Sequence, residues 1–154
     1  MAGAEPVFLD TNVLVYAHIE ESPMHEVALA ALKSLESSNR DIWISFQVLR
    51  ELLAVMTRPV THSHAEFISA LMPQVEELQK RYLVASDSPA VYERLEQLML
   101  AVPTGGKQVH DASIVATMLA NDVHCLVTNN VRDFERFGEF IAVVALSKAS
   151  ALCG

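Results

Sequence analysis

Short apolar runs alternate along the chain with longer stretches in which apolar residues recur every three or four positions. The short runs predict five β-strands, at residues 7–9, 42–44, 82–85, 124–127 and 140–144. The longer stretches predict helices between the strands, at residues 13–17, 23–37, 46–57, 64–80, 89–101, 111–121 and 131–137. Because helices separate the strands, we expect right-handed βαβ units, and therefore an α/β fold whose largely parallel sheet is covered on both faces.

Prolines mark several of the predicted boundaries. Pro23 opens the second helix, Pro59 stops the third, and Pro73 predicts a kink or break in the fourth. The second helix carries an apolar stripe formed by Val27, Leu29, Leu32 and Leu35. The sequence shows no repeats or linkers, so we expect one domain over residues 1–154. Its core spans about 6–144, and no clear pattern follows Leu146, which makes 147–154 a tail.

Four acidic residues, each within its own short signature, are the strongest chemical signal in the chain. They are Asp10, Glu51, Asp111 and Asp133. Asp10 ends the first strand and Asp133 follows the fourth, and ligands bind beyond the carboxyl ends of strands, where the winding of such a sheet reverses. If those two strands are neighbours, all four acids converge there. Clustered carboxylates without matching cations repel each other unless hard cations neutralise them, so the pattern predicts Mg²⁺ or Mn²⁺ and phosphodiester chemistry.

Each acid also has an ordinary structural interpretation. Asp10 and Asp111 both stand where a helix begins and are suited to cap it. Glu51 is suited to an exposed helical pair with Arg50, and Asp133 to an ion pair with a neighbouring arginine. These interpretations stay open one by one, but independent caps have no reason to occur in four such signatures.

Composition and charge exclude several classes of protein. Hydrophobic residues make up 51% and charged residues 19%, which excludes a disordered chain. A formal net charge of −8 argues against a general nucleic-acid binder but not against a nuclease, whose acids are committed to metal. Only two cysteines occur, and we expect neither a signal peptide nor a membrane span, so a reducing cytoplasm is the expected location.

The four signatures together resemble those of the PIN-domain family, and within it the VapC-type ribonuclease toxins. The matching segments occur in family order and cover residues from about 6 to 144. They are Phe8-Leu9-Asp10-Thr11-Asn12, Ser45-Phe46-Gln47-Val48-Leu49-Arg50-Glu51, Gly106-Lys107-Gln108-Val109-His110-Asp111-Ala112 and Leu126-Val127-Thr128-Asn129-Asn130-Val131-Arg132-Asp133-Phe134. The resemblance implies a three-layer α/β/α sandwich around a five-stranded parallel sheet. It also implies a magnesium- or manganese-dependent endoribonuclease, usually a homodimer, inhibited by a partner antitoxin.

The resemblance also assigns roles to individual residues. It implies that Asp10 and Asp111 are the principal metal ligands and that Glu51 is the third acid. Many family members place an aspartate two residues after the threonine, where this chain has Asn130 and an acid only at Asp133. Asp133 is then expected to support a second ion. Residues beside the acids are expected to orient carboxylates or to contact phosphate; these are Thr11, Asn12, Thr128 and Asn130. Five cations lie near the acidic signatures and would either flank the cleft and hold the RNA backbone or pair with surplus acids on solvated faces; these are Arg50, Lys107, Arg132, Arg58 and Arg136.

Two other classes of function remain open on the sequence. Asn130 and the acidic surface favour a non-catalytic PIN-like module that binds RNA or protein. A phospho-accepting receiver or an aspartate-nucleophile phosphatase would need a second acid after the first strand, where this chain has Asn12. Target specificity is expected to lie in cleft shape and in loop residues such as 103–108. The helices at 24–37 and 64–80 are candidate faces for a dimer or an antitoxin, although their apolar stripes are equally explained by covering the sheet.

Overall fold

Five short parallel strands form a single sheet in the computed structural model, which describes residues 3–58 and 64–153. The strands, numbered along the chain, are β1 (Val7–Leu9), β2 (Ile42–Ser45), β3 (Leu83–Ala85), β4 (Cys125–Thr128) and β5 (Ala142–Ala145). They are hydrogen-bonded in the order β3-β2-β1-β4-β5, and every pairing is parallel. The predicted α/β class and the five-stranded parallel sheet are therefore confirmed.

Seven α-helices of the described ranges connect and cover these strands. They are α1 (Thr11–His18), α2 (His25–Ser37), α3 (Phe46–Met56), α4 (His64–Arg81), α5 (Pro89–Ala101), α6 (Gln108–Ala120) and α7 (Val131–Phe134). Two 3-10 segments, Glu135–Phe137 and Leu146–Cys153, flank β5. Pro59, which was expected to stop α3, lies outside the described residues.

The winding of the sheet reverses between β1 and β4. Phe8 of β1 pairs with Trp43 of β2 on one side and with Leu126 of β4 on the other. The chain first winds outward from β1 through β2 to β3, and then returns to the opposite side of β1 to form β4 and β5. The expectation that the first and fourth strands are neighbours is thereby confirmed, and their carboxyl ends meet at the crevice where such sheets bind ligands.

The central strand is buried on both faces. Val7, Phe8 and Leu9 are at most 1% exposed, as expected for a parallel strand with helices above and below it. The covering helices pack in pairs, with α5 against α6 and α2 against the Leu146–Cys153 segment. Residues after Leu146, for which the sequence predicted no element, thus form a helical segment that covers α2.

Helices α2 and α4 differ in detail from the predicted pattern. In the apolar stripe predicted on α2, Leu32 and Leu35 are buried but Leu29 is 41% exposed, and Ala28 and Ala31 complete the buried face instead. Pro73 does not break α4, which continues through it with Leu71, Val75 and Leu78 buried on either side.

Several boundaries also differ from their predicted positions; Pro23, for example, precedes α2, which begins at His25. Helix α6 begins at Gln108 rather than Asp111, because Gly106 turns the chain with a φ of +59° and the Gln108 side chain accepts a hydrogen bond from the Gly105 amide. Strand β5 begins at Ala142 rather than residue 140. Within the described ranges, we find no helix with the length and apolar character needed to span a bilayer.

Candidate active site

Asp10 is the buried centre of the carboxyl edge of the sheet. It is 6% exposed and follows β1 directly. Its Oδ1 accepts a hydrogen bond of 2.8 Å from the Thr11 amide, so the capping interpretation of this residue is correct. Its Oδ2 accepts two further bonds, at 2.7 Å from Thr128 Oγ1 and at 3.0 Å from Asn12 Nδ2. Capping therefore occupies one oxygen, while neutral side chains fix the orientation of the other.

Thr128, the last residue of β4, joins the ends of the two central strands. Its hydroxyl donates to Asp10, and the same oxygen accepts from Asn12 Nδ2 at 3.2 Å and from the Asn130 amide at 3.0 Å. Asn12 completes the connection, because its Oδ1 accepts a 3.0 Å bond from the Asn129 amide. The structure thus gathers the three polar residues expected to orient carboxylates, Thr11, Asn12 and Thr128, around Asp10 or the neighbouring Glu51. Asn130 takes part through its backbone amide, which donates to Thr128 Oγ1.

Glu51 reaches this edge from α3, and both of its oxygens are held. Thr11 Oγ1 donates to Oε2 at 2.6 Å, and Gln47 Nε2 donates to Oε1 at 2.9 Å. Gln47 also donates to the backbone carbonyl of His110 at 3.0 Å. Gln47 was not among the site residues predicted from the sequence. Its spacing of four residues before Glu51 was the available signal, because that spacing places both side chains on one face of a helix.

Asp111 lies in the first turn of α6, where the charges of the other three acids act on it. Burial, and then the negative charges of Asp133, Asp10 and Glu51, raise the pKa of Asp111 to about 6, against a smaller lowering by Arg136. Burial above all also raises the pKa of Asp10. The other three predicted acids therefore lie within electrostatic range of Asp111. Asp111 does not cap its helix, which begins after Lys107.

The cations expected to flank the cleft are placed differently from one another. Arg50 forms an exposed 2.9 Å ion pair with Asp87. Arg136 donates a long 3.4 Å hydrogen bond to the Pro103 carbonyl and is the cation whose charge acts on Asp111. The other three cations are exposed; these are Lys107, Arg132 and Arg58. No ion pair found in residues 3–58 and 64–153 involves any of the four acids, so the ordinary pairings considered for Glu51 and Asp133 do not form.

The donor set of this edge fits a hard divalent cation by its chemistry. Its ligating atoms are carboxylate oxygens with uncompensated charge, the ligands that Mg²⁺ prefers. In the described part of the chain, however, no three acidic, histidine or cysteine side chains form a group that could hold a metal ion as they stand. Because Mg²⁺ usually keeps several waters and takes only one or two carboxylates directly, the arrangement suits an ion held partly through water.

The sequence matches the family model of the PIN domain over residues 7–139. The chain belongs to the PIN-domain family. This PIN domain is similar to "Ribonuclease VapC24" of Mycobacterium tuberculosis, with 28% identity over 138 residues that cover 84% of this chain and 90% of the relative. Family membership gives no support to the receiver or phosphatase alternative.

Solved structures show the same fold. VapBC2 from Rickettsia felis, bound to a DNA fragment from its promoter, gives a TM-score of 0.65 at 22% identity and covers 91% of this chain and 98% of its own. VapC20 of Mycobacterium tuberculosis, described as a sarcin–ricin loop cleaving toxin, gives a TM-score of 0.57 at 18% identity over 78% of this chain and 86% of its own. The sheet, its switch point and the covering helices are thus those of the family.

Proposed function

We propose that this PIN domain is a metal-dependent endoribonuclease, the toxin of a type II toxin–antitoxin pair. The observation that carries the proposal is the set of four acidic residues at the switch point of a PIN fold. Three of them act by their charge on Asp111, neutral donors hold Asp10 and Glu51, and none of the four forms an ion pair in the described ranges. The similarity to a relative named as a ribonuclease, and to a structure described as a sarcin–ricin loop cleaving toxin, supports the same function.

The carboxylates divide into two groups in this proposal. Asp10 and Asp111 hold one Mg²⁺ or Mn²⁺ ion, and Glu51 binds the ion or its waters. Asp133, with Asn130 beside it, supports a second ion. A bound divalent ion lowers the pKa of water and stabilises the charge that develops at the scissile phosphate. Thr11, Asn12 and Thr128 keep the carboxylate oxygens from rotating, so little reorganisation is needed when an ion binds.

The RNA backbone must be held by few cations on this acidic protein. Arg136 is the best placed, because its charge reaches Asp111. Lys107 and Arg132 flank the same edge from the start of α6 and from α7. Arg50 can contact RNA only by breaking its ion pair with Asp87, which costs about 1 kcal/mol or less because more than half of each side chain is exposed to solvent.

Partners and location follow from the same proposal. We expect a cognate antitoxin protein, in keeping with structural neighbours that are VapBC assemblies. We also expect a homodimer, which would cover the exposed apolar side chains of α5 and β3; these are Tyr92, Met99, Leu100 and Leu83. Cys125, a free cysteine in β4, suits a reducing cytoplasm.

A second candidate function is a non-catalytic PIN module that binds RNA or protein. Two observations favour it: an amide at Asn130 where many relatives have an acid, and no ready-made metal group among the described side chains. Such a module would bind its partner without divalent ions, and EDTA would not affect it.

The deciding experiment is manganese-dependent cleavage of a mixed RNA pool by antitoxin-free protein. We expect cleavage by the wild type, its abolition by EDTA, and a loss of at least about 100-fold in Asp10→Asn and in Asp111→Asn, with folding retained. Full activity in either variant would contradict the assigned site. Absence of cleavage by well-folded, metal-loaded wild type would favour the binding module.

A further inference from the structure

Gln47 makes two hydrogen bonds that join the helices bearing Glu51 and Asp111. Its Nε2 donates at 2.9 Å to Glu51 Oε1, on its own helix α3, and at 3.0 Å to the His110 carbonyl, on α6. Both partners are acceptors only, so the amide nitrogen must face them, and each of its two hydrogens has one partner. The carbonyl that Gln47 holds belongs to the residue immediately before Asp111.

We propose that Gln47 is a positioning residue of the carboxylate site, which fixes Glu51 and the distance between α3 and α6 and thereby sets the affinity for the divalent ion. The inference rests on the proposed function, since it assumes that these carboxylates hold a metal ion.

Glu51 depends on Gln47 for its orientation. Its second oxygen, Oε2, is held at 2.6 Å by the Thr11 hydroxyl, and Gln47 holds the first. Without Gln47, the carboxylate could turn about the remaining Thr11 bond and direct Oε1 toward solvent. A ligand that must be ordered again on binding lowers affinity, because its rotational freedom is lost only in the bound state.

The bond to His110 opposes the repulsion between the acids. Glu51 and Asp111 carry like charges and lie on different helices, so without metal their repulsion tends to separate α3 from α6. Gln47 crosses this boundary with a neutral side chain and therefore adds no charge that would compete with a cation. Its side chain is half-buried; the bond to Glu51 is partly shielded from water, whereas the bond to the His110 carbonyl is exposed.

The test compares Mn²⁺ affinity in Gln47→Met and in the matched control Gln74→Met. Methionine keeps the length and neutrality of glutamine but has no donor. Gln74 lies on α4, where its Nε2 donates at 3.3 Å to the Ala70 carbonyl of the same helix. We expect the dissociation constant for Mn²⁺, measured by electron paramagnetic resonance titration, to rise about 10-fold in Gln47→Met and to stay within about 2-fold of wild type in the control.

A kinetic measurement separates positioning from a general loss of structure. At limiting Mn²⁺, cleavage by Gln47→Met should fall, and saturating Mn²⁺ should restore it to within a few-fold, with the KM for RNA unchanged. If Gln47→Met does not fold, Gln47→Asn replaces it, because the shorter amide cannot span both acceptors. An unchanged Mn²⁺ affinity in a folded Gln47 variant overturns the proposal.

The outcomes also distinguish this proposal from the proposed function. Weaker Mn²⁺ binding in Gln47→Met, in a protein that cleaves no RNA, supports the positioning role while refuting the nuclease. Failure of the wild type to bind Mn²⁺ refutes both, since there is then no ion to position.

Discussion

The carboxylates at the two ends of the parallel sheet differ in whether a cation balances their charge. At the amino end, Glu36 accepts a 2.6 Å hydrogen bond from the Tyr82 hydroxyl and lies 3.6 Å from the Arg81 guanidinium. At the carboxyl end, Asp10 and Glu51 accept hydrogen bonds from hydroxyl and amide groups, which orient the acids without cancelling their charge. A carboxylate that serves only the fold has a cation beside it, whereas the acids at the other end leave their charge for a cation from solution.

The size of a cavity does not reveal this difference. A cavity of about 520 Å³ lies at the amino end, where Glu36, Arg40 and Tyr82 are among its lining residues. Its lining carries charges of both signs, and Arg40 donates to the carbonyls of Glu5 and Leu152. We therefore locate the candidate site by unbalanced charge at the switch point rather than by volume.

We expect the largest effect from a substitution at Thr128, which is fully buried and whose hydroxyl donates a hydrogen bond to Asp10. Thr128→Val keeps the shape but leaves a buried carboxylate without one donor. We expect the free energy of unfolding to fall by about 1–3 kcal/mol, and the Mn²⁺ affinity and cleavage rate to fall about 10-fold or more. Urea unfolding and Mn²⁺ titration measure the two effects.

The matched control for that substitution is Thr117→Val. Thr117 is 1% exposed, and its hydroxyl donates to the Ser113 carbonyl within α6. We expect a stability loss of about 1 kcal/mol or less and no change in Mn²⁺ affinity. Equal effects of the two variants on Mn²⁺ binding would mean that the Thr128 hydroxyl has no special relation to Asp10.

A smaller effect is expected at the opposite end of the sheet. Tyr82→Phe removes the hydroxyl that donates to Glu36 but leaves Arg81 beside the carboxylate. The free energy of unfolding should fall by about 1 kcal/mol, while RNA cleavage stays unchanged. A drop in cleavage beyond the change in folded fraction would show that the two ends are coupled.

The smallest effect concerns pH. Burial and the charges of Asp133, Asp10 and Glu51 raise the pKa of Asp111 from 3.8 to about 6. The folded state thus binds this proton more tightly than the unfolded chain, so ionisation of Asp111 destabilises the metal-free protein as pH rises from about 4 to about 6. The penalty is then constant at higher pH, and it is about 1 kcal/mol or less because solvent screens this half-exposed group.

Asp111→Asn isolates that contribution. In metal-free buffer, the variant should gain stability relative to wild type between pH 4.5 and pH 7, and added Mn²⁺ should favour the wild type instead. Urea unfolding at the two pH values measures the difference. A gain of the same size at both would mean that it does not come from ionisation.

How much of the site was predictable depends on the range of the contact involved. Asp10 and Thr128 stand at the ends of apolar strands, and the carboxyl ends of parallel strands meet at one edge of a sheet. The pattern of apolar residues was therefore enough to predict that these two residues lie close together. The tether from Gln47 to His110 did not, because it depends on how α3 and α6 rotate as they pack. The exposure of Leu29 has a similar origin, since the stripe of large apolar residues took no account of Ala28 and Ala31, which are buried on α2.

The hydrogen bond between Asp10 and Thr128 joins residues 118 positions apart. At a synthesis rate of about 5–20 residues per second, the two sides of the site are made about 6–24 s apart. Asp10 therefore lacks its hydrogen-bond donor Thr128 until β4 has been synthesised and can pair with β1. On the proposed function, the catalytic site is incomplete for most of synthesis, and a neutralising partner has that interval in which to accumulate near the ribosome.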